Sequence, residues 1–126
     1  MKTLPIIVAG ILSLFTFSSA FAEEELKTEH IVLSQLMKAI ADNDYDAFLS
    51  NGTPTFKKNI PKQAFSSVSD QLAPLIGKGY TTEYLSKLHQ QGNTVHLWKI
   101  RYGESKENSV AKMGVIDGQV SGFWIF

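Results

Sequence analysis

Apolar side chains recur every three or four positions along the first half of the chain and every second position along the last part. Leu33, Leu36, Met37 and Ile40 fall at i, i+3, i+4 and i+7, one stripe of an amphipathic helix, and the acidic and polar stretch 23–29 suits its amino end. Asp42-Asn43-Asp44 interrupts the stripe. Tyr45, Phe48 and Leu49 resume it in a shorter helix that Asn51-Gly52 closes. Thr53-Pro54-Thr55 reads as a loop, and Pro61 opens a third helix in which Phe65, Val68, Leu72 and Leu75 or Ile76 recur at helical spacing. Pro74 predicts a kink or an end there. From Tyr80 the period changes. Segments 80–89, 94–102, 109–116 and 119–126 are rich in β-branched and aromatic residues, and Gly92-Asn93, Gly103-Glu104 and Asp117-Gly118 separate them.

Four consecutive strands joined by short turns predict an antiparallel meander, so the fold class is α+β: N-terminal helices packed on a four-stranded antiparallel sheet. Asp117-Gly118 is the strongest turn signal, because a type I′ hairpin needs positive φ at both central residues. Counting outward from it puts Met113 with Gly122 and Ala111 with Trp124 on one face, and Lys112 with Phe123 on the other. The same count around Gly92-Asn93 gives Leu85, His89, His96, Trp98 and Ile100 one face, and Leu88, Val95, Leu97, Lys99 and Arg101 the opposite one.

The first residues read differently. Lys2 precedes an apolar run, 6–17, too short for a spanning helix, and Ala20-Phe21-Ala22 supplies the small residues a signal peptidase needs. The expectation is a signal peptide over 1–22, cleaved after Ala22, and one domain over 23–126 that is periplasmic or secreted and free of the membrane after cleavage. No cysteine is present, so neither a disulfide nor a thiolate metal site is available. The 12 basic and 12 acidic side chains balance, and that argues against a nucleic-acid partner, which rewards clustered positive charge.

The opening helix leading into Ala41-Asp42-Asn43-Asp44-Tyr45-Asp46-Ala47-Phe48, the helix begun at Pro61 and the closing hairpin from Ile116 to Phe123 together resemble the nuclear transport factor 2-like superfamily, the cystatin-like fold. The chain is most similar to its small exported members of unknown function, whose last strand also carries a glycine between apolar residues. The resemblance covers essentially all of 23–126. It implies a curved sheet that wraps the long helix into a cone, on a scaffold used by isomerases, dehydratases, binding domains and dimerisation modules.

Candidate chemistry is sparse. His89 and His96 on one face recommend a metal pair, yet no third ligand stands at a suitable spacing, and no metal or cofactor is expected. Glu83 and His96 are the titratable strand residues that face inward, and a pocket enzyme of isomerase or dehydratase type would use one of them as its base. Tyr45, Trp98, Tyr102, Met113 and Trp124 would line the cone with them and cradle a small apolar ligand, or simply fill a core. Lys57, Lys58 and Lys62, and Asp42, Asp44 and Asp46, form solvated corners. Three functions follow: small-ligand binding in the cone, protein interaction through the sheet, or catalysis at Glu83 or His96. A filled cone would leave only the second. Leu88, Val95, Leu97, Phe123 and Ile125 make the outer face unusually apolar, which predicts a homodimer through the sheet.

Overall fold

The computed structural model describes residues 26–126; the expected signal segment and its cleavage site lie outside them. Contacts divide the chain at Ser34, and Gln35–Phe126 forms one compact unit. Residues 26–41 are helical (α1), followed by α2 (Tyr45–Leu49), α3 (Pro54–Asn59), α4 (Lys62–Gly77), β1 (Tyr80–Gln90), β2 (Asn93–Tyr102), β3 (Ser109–Ile116) and β4 (Gln119–Ile125). The strands lie in the order β1-β2-β3-β4, all antiparallel, as the meander requires. The fold is α+β.

Local chemistry sets the helix limits. Asn43 takes a positive φ of 52° and ends α1, while the Asp44 side chain accepts a hydrogen bond from the Ala47 N–H and caps α2. The stretch read as a loop is helical instead: the Thr53 hydroxyl accepts from the Phe56 N–H and Pro54 sits in the first turn of α3. Pro74 does not end α4, which runs on to Gly77. The link between α2 and α3 is pinned to the start of β4, because the Thr53 N–H donates to the Val120 carbonyl and the Val120 N–H to that of Asn51. A Cβ at Gly52 would overlap Phe56, so this crossing needs glycine.

The core of the unit lies between the helices and one sheet face. Leu36, Met37 and Ile40 of α1 and Phe65 and Ile76 of α4 are buried, as are Trp98, Ile100, Ala111 and Met113 from the sheet. An aromatic chain joins helices to sheet: Phe48 meets Phe56 (5.6 Å between centroids), Phe65 (4.8 Å) and Phe123 (6.0 Å). The buried Ser69 hydroxyl of α4 donates to the Ile40 carbonyl at 2.5 Å, which satisfies an end carbonyl of α1.

Two bulges set the sheet faces. The pairing shifts between Tyr84 and Ser86, leaving Leu85 extra, and again between Val120 and Gly122, leaving Ser121 extra. Each extra residue reverses the parity of everything beyond it. The inner face therefore carries Tyr84 opposite Trp98, His96 opposite Met113, and Phe123 opposite Met113. The outer face carries Glu83 opposite Lys99, and Lys112 opposite both Leu97 and Trp124.

Candidate functional site

The inner face buries a histidine. His96 is 1% exposed, and its Nδ1 lies 3.0 Å from the Tyr84 hydroxyl. Trp98, 2% exposed, packs beside both rings, with centroids 5.5 Å from Tyr84 and 5.8 Å from His96. Met113, fully buried, closes the cluster from β3. Tyr84 was not singled out in the sequence. The bulge at Leu85 turns it inward, and nothing in the residue pattern marks that bulge.

The same shift removes one expectation, and the position of the first turn changes another. Glu83 faces out, with its carboxylate 2.9 Å from the Lys99 amine, so it shares no site with His96. The first turn is Gln91-Gly92, with φ of 52° and 81°, and not Gly92-Asn93. His89 therefore pairs with Thr94 while Lys87 opposes His96, so the two histidines share a face as expected but stand diagonal to each other and not directly opposite. Among the described residues no three His, Asp or Glu side chains gather as metal ligands would.

The remaining sequence candidates scatter. Tyr45 belongs to the helix layer: its ring meets Phe65 at 5.7 Å and its hydroxyl donates to the Ile60 carbonyl. Tyr102 is buried at the far end of β2, where its hydroxyl finds no hydrogen-bond partner. Burial pushes the phenol pKa up, and Ser109 opposes the shift without completing a bond of good geometry. Trp124 lies outside, half exposed, because the Ser121 bulge reverses the parity counted from Asp117-Gly118. Its indole folds over Gly122, with the Lys112 ammonium 5.0 Å from the ring centroid.

Of the apolar outer patch, Leu88, Val95 and Leu97 do share the outer face, but Val95 is only 4% exposed. Phe123 and Ile125 face inward, opposite Met113 and Ala111, and do not belong to it.

Clefts of roughly similar size open on the described surface, and His96, Trp98 and Met113 do not line the four best formed of them. The most apolar, about 450 Å³, runs beside β4: Phe65, Val68 and Leu72 of α4 form one wall and Phe123, Ile125 and Phe126 the other. Every residue lining it is uncharged.

The solved structures this chain resembles include NTF2-like and cystatin-fold proteins. An NTF2-like protein of unknown function from Cytophaga hutchinsonii aligns over 75% of this chain and 85% of its own, at 5% identity and a TM-score of 0.40. An uncharacterised cystatin-fold protein from Novosphingobium aromaticivorans aligns over 75% and 94%, at 12% identity and a TM-score of 0.40. TerC, co-crystallised with polyporic acid, aligns over 79% and 90%, at 11% identity and a TM-score of 0.44. No protein-family model matches the chain, and no curated protein matches it in sequence.

The free edge of β4 is the feature that sequence reading missed. Val110 and Phe126 exchange both backbone hydrogen bonds, at 2.6 and 3.0 Å. Alternation along an antiparallel ladder then turns the N–H and C=O groups of Trp124 and Gly122 toward β3 and those of Phe123 and Ile125 away from it. Among the described residues no strand pairs with that outer side of 123–125. The signal was available in part, as a closing strand with no charged residue between Gln119 and Phe126.

Proposed function

We propose that this domain is a protein-interaction module that receives an extended segment along the open edge of β4. The observation that carries the reading is an unpaired, uncharged strand edge flanked by an apolar groove. Main-chain groups of Phe123 and Ile125 supply hydrogen bonds to an added strand, and the groove between α4 and β4 accepts its alternate side chains. The packed inner face favours this over small-ligand binding inside the sheet, since the described clefts avoid His96, Trp98 and Met113.

A fluorescently labelled extended peptide with large apolar residues at alternate positions tests it. Titration should raise its anisotropy and shift the backbone amide resonances of Phe123 and Ile125. If instead a small apolar molecule binds and moves only resonances of Met113 and His96, the interaction reading fails. The lead segment places this module outside the cytoplasm in our proposal, and an intact mass beginning at Glu23 checks that.

A further inference from the structure

An open strand edge is a hazard that folded proteins ordinarily blunt with charge, proline or a bulge. β1, the opposite edge of this sheet, follows that practice: it carries Glu83 and Lys87 and is interrupted by the bulge at Leu85. β4 does not. From Gly122 to Phe126 the chain has no charged side chain and no proline, Trp124 is 50% exposed and Phe126 70%. Its bulge, at Ser121, lies before the open stretch and leaves 122–125 in regular register with β3. The first part of the edge is already taken, since Val120 bonds to Asn51 and Thr53, so the open part is short and bounded.

Resting on the strand-addition reading above, we propose that the segment received is β4 of a second copy of this chain. The outward groups belong to residues two apart, and that spacing is self-complementary. In an antiparallel pairing Phe123 of one copy exchanges both hydrogen bonds with Ile125 of the other, and Ile125 with Phe123. Four hydrogen bonds form around a two-fold axis at Trp124. The axis keeps the inner faces on one side, so the apolar groove beside each β4 becomes continuous with its counterpart, and the two exposed indoles come together on the outer face. No charged side chain lines the groove and the chain's formal net charge is zero, so the groove itself offers no side-chain charge to repel its own copy. Because β1 is guarded, a two-fold contact at β4 closes after two copies and does not propagate into a fibre.

The pairing makes a positional demand that an association through the sheet face does not. Trp124 residues on the axis form a non-hydrogen-bonded pair, with Cα atoms about 4.5 Å apart, inside the range a disulfide spans. The natural chain has no cysteine. Trp124→Cys should therefore give a cross-linked dimer on mild oxidation, whereas Leu97→Cys, on the outer face of β2, should stay monomeric under denaturing electrophoresis. Sedimentation equilibrium of the purified wild type should show a concentration-dependent dimer. Ile125→Pro removes one outward N–H per copy and leaves the ladder to β3 intact, and should raise the dimer Kd on the order of a hundredfold.

A wild type that remains monomeric at several hundred micromolar overturns the proposal. So does a dimer that Ile125→Pro leaves unchanged and Trp124→Cys does not cross-link. If the labelled peptide still binds a monomeric wild type at Phe123 and Ile125, strand addition stands and only its occupant is wrong; if neither peptide nor second copy binds there, both fail.

Discussion

Gly122 carries no side chain where the indole of Trp124 folds back along β4, and a Cβ there would overlap the ring. The two tryptophans are consequently unequal, one half exposed under the Lys112 ammonium and the other 2% exposed against His96. Iodide should quench Trp124 and spare Trp98, so that Trp124→Phe leaves a blue-shifted emission that resists quenching. Gly122→Ala should lift the indole and enlarge the quenchable fraction at a cost of about 1 kcal/mol, since an exposed ring has room to move. Equal quenching of both rings would contradict the register of β4. Tyr102 offers a second test at this scale. Its buried phenol has a pKa raised first by desolvation, so the folded state holds the proton more tightly than the unfolded chain does near pH ~10. The stability linked to this proton is complete below that pH and is lost as pH rises through the folded value. Tyr102→Phe should flatten that alkaline loss in urea titrations. Near neutral pH it should leave stability unchanged or raise it by up to about 1 kcal/mol, because the hydroxyl it removes has no partner.

Elements with a period were legible, and those defined by one exceptional residue were not. The stripe from Leu33 to Ile40 gave α1, and Asp117-Gly118 forms the hairpin turn expected of it, with φ of 49° and 79°. α3 is six residues long and buries only Phe56, so no period announces it; Thr53-Pro54 was its one mark. The bulges at Leu85 and Ser121 were invisible because both look like ordinary strand residues, yet they decided that Tyr84 faces in while Glu83 and Trp124 face out. What holds the second bulge is tertiary. Gly114 leaves β3 bare, and across that gap the Ser121 hydroxyl donates to Asn93 Oδ1 at 2.5 Å. The Asn93 amide in turn donates to the Gln90 and Gln91 carbonyls at 3.3 and 3.2 Å, which keeps Asn93 in the strand and moves the turn onto Gln91-Gly92. Ser121→Ala should cost about 1 kcal/mol by urea denaturation and speed amide exchange at the Gln91-Gly92 turn, more than 20 positions away in sequence. Unchanged exchange there would mean that the bulge and the turn are independent.

Across the whole unit, the candidate functions divide on the packing of the sheet's inner face, where Trp98, Ile100, Ala111 and Met113 are buried. Met113 is the sharpest probe. It is fully buried, lies opposite both His96 and Phe123, and so sits where a ligand held against the inner face would rest. In a packed interior, Met113→Ala removes buried apolar atoms and leaves a void that neighbours held by the ladder cannot fully close. The loss should then be about 2–5 kcal/mol, read from the denaturation midpoint at constant slope. The void would be apolar, lined by Trp98 and its neighbours, and should accept a small hydrocarbon such as benzene, which would restore part of the lost stability in proportion to its concentration. A hollow interior behaves in the opposite way. The side chain would already face empty space, its truncation would cost little beyond the transfer of a few methylene groups, and the wild type itself would be stabilised by the same hydrocarbon. A loss under about 1.5 kcal/mol together with benzene-dependent stabilisation of the wild type would therefore return function to the inner face, and to the Tyr84–His96 pair that lies on it.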